Sequence, residues 1–441
     1  VLVGAASLCL AMVGTVVWPW QDPVEGGLGS RALRGLSRFP SVPAATTSLA
    51  APPPPPVARR RLELQVSAPA LPLLQHCEAP VAARDLDVVY VVHSKDLGPM
   101  EWSVRTLLCR CAQVRRVHVV SDDSASVHAL VKSLDATSGP EGARVVWVNE
   151  RTFPFSVKDV MERYTCHAKC GWYLQQLLKM YAGRVIPDLK DYLVVDADVV
   201  WFRPLTMIAE RGEDGQPARY FYDTAAQRVA QYFAQINRLT GGQVQRVDRA
   251  LSGVSHHMVF KLDVLEDLMR HVEKQHDMAF WKAVLDTLDP KAGSGFSEYE
   301  LYFNFALQYH PETVQVRHLT FANGPNPKLM YIHGDESSMG GRVWGRGNFE
   351  KQMMLDMKHG FDFVGYHSYA KRRYYDVPKQ FLEPYCTVLG VAQRNKDMAN
   401  RCNVPWVTEE PSPPNEAKRT SGGESAAAAT TVLVRPPPSD R

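Results

Sequence analysis

The chain has 441 residues, of which 45% are hydrophobic and 22% charged, and its 50 basic and 47 acidic residues give a net charge of +3. These values are ordinary for a globular protein and exclude a collagen-like, coiled-coil or wholly disordered chain. A charge so close to balance also lacks the concentrated basic surface of a nucleic-acid-binding protein, so no nucleic-acid partner is predicted.

The first 17 residues carry no charge, and tryptophans follow at positions 18 and 20. A stretch of this length is near the lower limit for spanning a bilayer, and tryptophan favours the membrane interface. We predict a transmembrane signal anchor over residues 1–20, with a cleaved signal peptide as the alternative. The protein is then expected to be a single-pass type II protein of the Golgi or another secretory membrane, with its folded domain in the lumen.

The 31 prolines indicate a folded middle between two disordered ends. Twelve lie within residues 18–80 and six within residues 407–441, which leaves 13 for the other 343 positions. We predict a proline-rich, disordered stem over residues 21–80, a catalytic domain over residues 81–406 and a disordered tail over residues 407–441.

Seven cysteines lie outside the apolar first segment. In an exported protein they allow up to three disulfides and one free thiol, and the sequence does not define which cysteines pair. Cys166 and Cys170 flank His167, which is an alternative pattern for half of a zinc site, although no second pair has matching spacing.

Strand and helix patterns alternate through the first part of the domain. The predicted strands lie at residues 85–93, 114–121, 144–148 and 192–195, and the predicted helices at residues 100–109 and 171–182. This order predicts an α/β fold with an open, mostly parallel sheet flanked by helices. Ligands bind beyond the carboxyl ends of the strands in such sheets, so we expect the site where polar residues follow the strands.

Asp196 and Asp198 follow the fourth predicted strand as a D-x-D motif. Carboxylates at i and i+2 of an extended chain lie on one side of it. Hard cations such as Mn²⁺ or Mg²⁺ bind oxygen ligands of this kind and keep positions open for substrate phosphate. A solvated turn is the alternative interpretation.

Four segments together resemble GT-A-fold glycosyltransferases. YLVVDADVVWFRP at residues 192–204 resembles their D-x-D segment, and GWYLQQLLKMYAG at residues 171–183 resembles the helix before it. SGVSHHMVFKLDVLEDL and GFSEYELYFNFAL resemble the acceptor-side strand and following helix of a little-characterised, largely bacterial glycosyltransferase-like branch. The resemblance covers roughly residues 85–370. It implies a GT-A (Rossmann-like) fold and a hexosyl- or pentosyltransferase.

The resemblance also implies a nucleotide-diphosphate sugar as donor, a divalent metal ion as cofactor, and a hydroxyl on a glycan, glycoprotein or glycolipid as acceptor. The metal ion, Mn²⁺ before Mg²⁺, would join the diphosphate to Asp198, with Asp196 nearer the ribose or the metal-bound waters. His333 resembles the late histidine that completes such metal sites, and His318 and His367 are the alternatives.

Five further residues are predicted to contact the donor. Lys179, where related helices carry a basic residue, is expected to reach the diphosphate, and Asp122 or Asp123 to bind the base or ribose. A solvated lysine and a turn or N-cap are the alternatives. His256 and His257 precede an apolar strand, so alternation directs them to opposite faces, one of them toward the cleft and the sugar.

Glu298 and Glu300 are the candidate catalytic residues. If Ser297 is a helix N-cap, Glu300 lies at N3 and completes a capping box. Glu298 is then the carboxylate available as general base for the acceptor hydroxyl. In the alternatives the two glutamates exchange these roles, or both are structural. The aromatic and basic residues 366–375 are predicted to line an acceptor groove, or else to form a solvated surface strand.

Two other functions fit parts of the pattern. A haloacid-dehalogenase-type phosphatase or phosphotransferase also has a D-x-D after a buried strand. Its first aspartate is a nucleophile on the first strand of the domain, however, and three predicted strands precede Asp196 here. A non-catalytic, sugar-binding relative of the GT-A fold is the second alternative, because a fold does not establish chemistry.

Overall fold

The computed structural model describes residues 86–138, 143–164, 169–209, 219–227, 229–292, 294–325, 346–387, 391 and 395–405. The predicted signal anchor, stem and tail lie outside these ranges, and so does His333. Within the ranges, no helix combines the length and the apolar character that a bilayer crossing requires.

The secondary structure follows the predicted alternation of strands and helices. The strands are β1 (Leu86–Val91), β2 (Val114–Ser121), β3 (Arg144–Asn149), β4 (Tyr192–Val195), β5 (Val199–Trp201), β6 (Tyr220–Asp223), β7 (His257–Phe260), β8 (Val314–Arg317), β9 (Phe321–Pro325) and β10 (Phe363–His367). The helices are α1 (Leu97–Arg110), α2 (Ala125–Thr137), α3 (Val157–Arg163), α4 (Cys170–Val185), α5 (Ala230–Leu239), α6 (Leu262–His276), α7 (Phe280–Asp286), α8 (Glu298–Tyr309), α9 (Arg346–Lys358), α10 (Glu383–Cys386) and α11 (Lys396–Cys402).

The central sheet has five strands in the order β3-β2-β1-β4-β7. The first four are parallel, and β7 pairs antiparallel with β4. Every residue of β1 and of β4 is buried, which explains why both were continuous apolar runs in the sequence. The predicted open, mostly parallel sheet flanked by helices is confirmed.

A second sheet of three strands, in the order β5-β10-β9, begins where the D-x-D ends. The strand β10 runs antiparallel to β5 and parallel to β9. The backbone N–H of Tyr366 donates to the carbonyl of Asp198 over 2.8 Å. This long-range pairing places the end of β10, at His367, beside the aspartate that precedes β5.

Four of the five cysteines within the described ranges are oxidised. Cys386 and Cys402 form a disulfide that joins α10 to α11, Cys109 and Cys170 are each disulfide-bonded, and Cys111 is a buried free thiol. Because a disulfide sulfur is not a thiolate, Cys170 is unavailable to a zinc half-site with Cys166 and His167.

Candidate active site

A cleft of about 480 Å³ opens at the carboxyl ends of β1, β2, β3 and β4. Its lining is rich in ionisable side chains, with seven carboxylates, two lysines and three histidines. These are Asp96, Asp122, Glu150, Asp196, Asp198, Glu298, Asp376, Lys95, Lys179, His93, His256 and His367. The excess of carboxylates favours a cation or a ligand rich in hydroxyl donors, and it disfavours a polyphosphate without a counter-ion.

Lys179 lies at the centre of a buried ion cluster. Its ammonium donates to Oδ1 of Asp196 over 2.5 Å, to Oε1 of Glu298 over 2.7 Å and to the hydroxyl of Tyr299 over 3.2 Å. An ammonium has three hydrogens to donate, and these contacts account for all of them. In the structure Lys179 therefore neutralises two carboxylates, and its contact with a diphosphate stays a prediction.

Asp196 is held at both carboxylate oxygens. Oδ1 also accepts from the hydroxyl of Tyr299 over 3.1 Å, and Oδ2 lies 3.2 Å from Nδ1 of His256. Burial alone would raise the pKa of Asp196, but the charge of Lys179 and the hydrogen bond to His256 outweigh it and hold that pKa well below its ordinary value. Asp196 is a fixed anion at the floor of the cleft.

His256 has a left-handed backbone with φ of +66°, which is uncommon for a residue other than glycine. Its carbonyl accepts from the backbone N–H of Asp196 over 2.8 Å, and its ring contacts the same residue's carboxylate. Burial lowers the pKa of His256, but the hydrogen bond and charge of Asp196 raise it above its ordinary value. A strained backbone held by two contacts to one aspartate is typical of a functional position.

Asp198 and His367 form the second pair at the D-x-D. Oδ2 of Asp198 lies 2.8 Å from Nδ1 of His367, and Nε2 of the same ring lies 2.9 Å from Oδ1 of Asn323. Across the described ranges no three His, Cys, Asp or Glu side chains are grouped closely enough to hold a metal ion. His318, the other alternative, contacts the carbonyl of Thr224 and the hydroxyl of Tyr385 and does not line the cleft.

The predicted separation of the two adjacent histidines is confirmed, although His256 precedes β7. His256 lines the cleft, whereas His257 is buried on the opposite side of β7. Nε2 of His257 lies 2.7 Å from Asp223, which also accepts from the guanidinium of Arg317 over 2.7 Å. His257 is thus part of a core ion cluster, which corrects its assignment to the donor site.

The two adjacent aspartates after β2 also differ. Asp122 lines the cleft, and its Oδ1 is buried without a hydrogen-bond partner within the described ranges. Asp123 is exposed outside the cleft and lies 2.7 Å from Nε2 of His128. Only Asp122 is thus positioned to bind a ligand, and Glu150, which follows β3 and was not predicted, lines the cleft with it.

The helix α8 begins as predicted, with Oγ of Ser297 accepting from the backbone N–H of Glu300 over 3.2 Å. Glu300 does not complete a capping box, because its carboxylate accepts from Ser252 and Asn304 instead. Burial raises the pKa of Glu298 and of Glu300, and Glu298 is the one that lines the cleft. The capping box predicted for Glu300 is wrong, and its role as a candidate catalytic residue stays a prediction.

A family of unknown function, DUF6492, has a model that matches residues 111–368. The chain belongs to DUF6492. No curated protein sequence matches this chain.

Three similar solved structures carry the names of glycosyltransferases. Mouse xyloside xylosyltransferase 1 has a TM-score of 0.33 and 13% identity, over 64% of this chain and 97% of its own. The galactosyltransferase LgtC with donor and acceptor sugar analogues has a TM-score of 0.34 and 12% identity, over 72% and 100% of the two chains. The mannosyltransferase Ktr4p of S. cerevisiae has a TM-score of 0.36 and 9% identity, over 53% and 68%. Because all three scores are below 0.5, the function must be inferred from the cleft itself.

The DUF6492 match contains most of the site, from Asp122 to His367, and ends at residue 368.

The segment 366–375, which was predicted to line an acceptor groove, extends beyond this match, and its side chains lie in two different environments. Tyr369 and Tyr374 line the cleft as predicted, whereas Arg373 binds the buried carboxylate of Asp356 over 2.6 and 2.7 Å.

Besides Glu150, sequence reasoning missed three residues of this DUF6492 site. Tyr299 lies between Glu298 and Glu300, which were predicted, so its position in the sequence could have indicated it. Asn323 and Asp376 contact each other, and Asn323 also contacts His367. Because these contacts join segments that are distant in sequence, no local pattern indicates either residue.

Replacing Ser297 with alanine should destabilise the fold by about 1 kcal/mol, because α8 loses its side-chain cap. Ser124→Ala is the matched control, since Ser124 caps α2 in the same way and does not line the cleft. Chemical denaturation should show similar losses for both variants. Ligand binding in the cleft should change only for Ser297→Ala, and equal effects of the two variants on binding would contradict a site that depends on the start of α8.

Proposed function

We propose that the protein is a metal-dependent glycosyltransferase of the hexosyl or pentosyl class. It moves a sugar from a nucleotide-diphosphate donor to a hydroxyl on a glycan, protein or lipid. The observation that carries this proposal is the contact between Asp198 and His367, 2.8 Å apart in a cleft with an excess of carboxylates. The sequence resemblance of residues 192–204 to the D-x-D segment of GT-A enzymes supports it.

Asp198 and His367 would hold the metal ion. Adjacent ligands of an octahedral ion with bonds of 2.0–2.1 Å lie about 3 Å apart, close to the separation of these two atoms. A carboxylate with an imidazole suits Mn²⁺ better than Mg²⁺, which prefers oxygen. When bound, the ion would stabilise the charge that develops on the leaving nucleotide diphosphate. The place of His333 in this set stays a prediction.

The other residues of the cleft receive roles from their contacts. Lys179 and Tyr299 already occupy Oδ1 of Asp196, so Asp196 is proposed to orient the donor rather than to be the main metal ligand. Asp122 has a buried oxygen without a partner within the described ranges, and it would accept from the hydroxyls of a ribose. His256 stays the candidate for a contact with the transferred sugar. The relation to a largely bacterial glycosyltransferase-like branch stays a prediction.

No observation favours the haloacid-dehalogenase alternative. A nucleophilic aspartate needs an oxygen that is free to attack phosphorus, and both oxygens of Asp196 are engaged by Lys179, Tyr299 and His256. The strands β1, β2 and β3 precede this residue in the same sheet, so it is not on the first strand of the domain either.

A screen of nucleotide sugars with the full-length protein tests the proposed function. Release of nucleoside diphosphate is measured with Mn²⁺ and again after chelation with EDTA. We expect at least one donor to be hydrolysed slowly without acceptor, faster with one, and not at all after chelation. Binding of a nucleotide sugar without turnover would support the non-catalytic relative instead, and neither binding nor turnover of any donor would reject the proposal.

Glu298→Gln should reduce sugar transfer by about 100-fold or more, the usual effect of losing a general base. Burial and the nearby charge of Asp196 raise the pKa of Glu298 above its ordinary value. A base must be deprotonated, so kcat/KM of the wild type should fall as the pH is lowered through that pKa. A pH profile should show that this acidic limb disappears in Glu298→Gln. Near-normal transfer would instead favour a retaining mechanism without a base at this position.

The proposal places the protein in a Golgi or other secretory membrane, with the domain in the lumen and the anchor at residues 1–20. The disulfide between Cys386 and Cys402 supports an oxidising compartment. Protease protection of the domain in intact microsomes tests this location, and digestion without detergent would contradict it.

A further inference from the structure

Asn323 connects His367 to a second buried acidic residue. Its Oδ1 lies 2.9 Å from Nε2 of His367, and its Nδ2 donates to Oδ2 of Asp376 over 3.1 Å. The backbone N–H and carbonyl of Asn323 both bond to Tyr374, over 3.0 and 2.8 Å. Four hydrogen bonds therefore fix an asparagine that is fully buried.

These contacts define which way the amide of Asn323 faces. A carboxylate accepts hydrogen bonds, so the amide NH₂ must face Asp376 and the amide oxygen must face His367. The ring nitrogen that faces this oxygen is a donor, which places a hydrogen of His367 on Nε2. The other nitrogen, Nδ1, faces a carboxylate oxygen at 2.8 Å, so in the absence of a metal ion a hydrogen joins these two atoms, and a bound metal ion would take the place of that hydrogen.

We propose that Asn323 and Asp376 are positioning residues that make Nδ1 of His367 a metal ligand beside Asp198. The inference rests on the proposed function, because the metal ion is part of it. Metal-binding histidines generally donate their other ring N–H to an oxygen that fixes the tautomer and the ring orientation. The contact from Asn323 supplies that oxygen, and Asp376 holds the amide in the orientation that the contact requires.

The ring of His367 also lies in a slot that admits little movement. A side chain at Gly365 would place its Cβ 2.7 Å from Nε2 of His367 and 3.0 Å from Oδ1 of Asn323. The ring of Tyr369 stacks on the imidazole with centroids 4.9 Å apart and planes 17° apart. Glycine at position 365 thus leaves room for the contact between Asn323 and His367.

The three residues are unequally exposed in a way that fits this role. Asn323 and His367 are buried, whereas the Asp198 side chain is 29% exposed and lines the cleft. The connected contacts therefore run from the interior to one ligand-accessible carboxylate. A histidine with a purely structural role would not need to contact a carboxylate that is accessible from the cleft.

The test measures Mn²⁺ binding to the full-length protein by the electron paramagnetic resonance signal of the free ion. Asn323→Leu removes the amide and should weaken binding by about 10- to 100-fold, the usual effect of losing such a contact. Gly365→Ala should weaken it as well, by displacing the ring. Gln235→Leu is the control, because Gln235 is also a fully buried amide but lies on α5 and does not line the cleft.

A double variant separates the proposed contact from general damage to the fold. Asn323→Asp combined with Asp376→Asn exchanges the carboxylate and the amide and keeps both an acceptor for His367 and the total charge. It should bind Mn²⁺ within a few-fold of the wild type, and the absorption spectrum of bound Co²⁺ should be unchanged. Asn323→Leu should alter that spectrum.

Two results would overturn the inference, and they are distinguishable. Wild-type affinity in Asn323→Leu, or a double variant as weak as Asn323→Leu, would show that the contact does not position the ligand, while the proposed function would stand. A wild-type protein that binds no Mn²⁺, with or without a nucleotide sugar, would remove the metal ion from both proposals.

Discussion

Asp198→Asn should lower kcat/KM for nucleotide-sugar turnover by about a thousandfold or more. The substitution keeps the size of the side chain but removes the charge that would hold the metal ion. A metal ion stabilises the transition state by several kcal/mol, and a loss of about 4 kcal/mol corresponds to a thousandfold. The fold should tolerate the change, because asparagine keeps a side-chain oxygen that can contact His367, and the backbone carbonyl at this position still accepts from Tyr366.

The control for this substitution is Asp123→Asn. Asp123 is an exposed aspartate at the same edge of the sheet, but it contacts His128 and lies outside the cleft. Its activity and Mn²⁺ affinity should equal those of the wild type. If Asp198→Asn also retained both, the metal ion would have to bind elsewhere, and His333 would become the residue to replace next.

The charge of the cleft is the reason why the proposed nucleotide-sugar donor would need a metal ion. Seven carboxylates face two lysines, and one of these, Lys179, is already shared between Asp196 and Glu298. A nucleotide diphosphate would add further negative charge to this surface. A divalent ion at Asp198 and His367 would offset that charge at the point where the phosphates approach.

Local patterns were sufficient to predict the four parallel strands of the central sheet. The strands β2 and β4 have the predicted bounds, because continuous apolar runs mark strands that are buried on both faces. The two histidines lie on opposite sides as alternation predicted, but His256 precedes β7 and has a left-handed backbone, so the pleat of the strand is not the cause of this separation. The N-cap at Ser297 was likewise predicted from four consecutive residues.

The partners of these residues depend on contacts between distant segments, which local patterns do not contain. His367 and Asp198 are 169 positions apart and meet because β10 pairs with β5. Lys179 and Glu298 are 119 positions apart. The resemblance therefore implied a basic residue on α4 and a late histidine, but not that Lys179 would be a counter-ion or that His367 would be the histidine at Asp198.

Lys179→Met should destabilise the fold by about 3–5 kcal/mol, because it leaves the carboxylates of Asp196 and Glu298 without their shared cation. Methionine has a similar length and packs well, so the loss reports charge rather than a cavity. Glu298→Gln in the same chain should restore part of the stability, since one of the two unpaired charges is then removed. A double-mutant cycle by urea denaturation measures this coupling.

The control is Lys158→Met, which breaks a contact of 3.6 Å between Lys158 and Glu162 on the surface of α3. Exposed pairs contribute only about 0–1 kcal/mol, so little change is expected. If Lys179→Met were equally mild, the buried cluster would not contribute to stability as its geometry indicates.

The contribution of this cluster to the pH dependence of stability should have opposite signs in the wild type and in Lys179→Met. In the wild type the pKa of Asp196 lies below its unfolded value, so its contribution is present at neutral pH and is lost as the pH falls through the lowered pKa. Without Lys179 the pKa of Asp196 should rise above its unfolded value, and the pKa of Glu298, which burial already raises in the wild type, should rise further. The folded variant then binds protons more tightly than the unfolded chain, and acidification from neutral pH should recover stability. Urea denaturation across this pH range measures both slopes, and a variant that loses stability in parallel with the wild type would show that Lys179 is not the cation that keeps these carboxylates ionised.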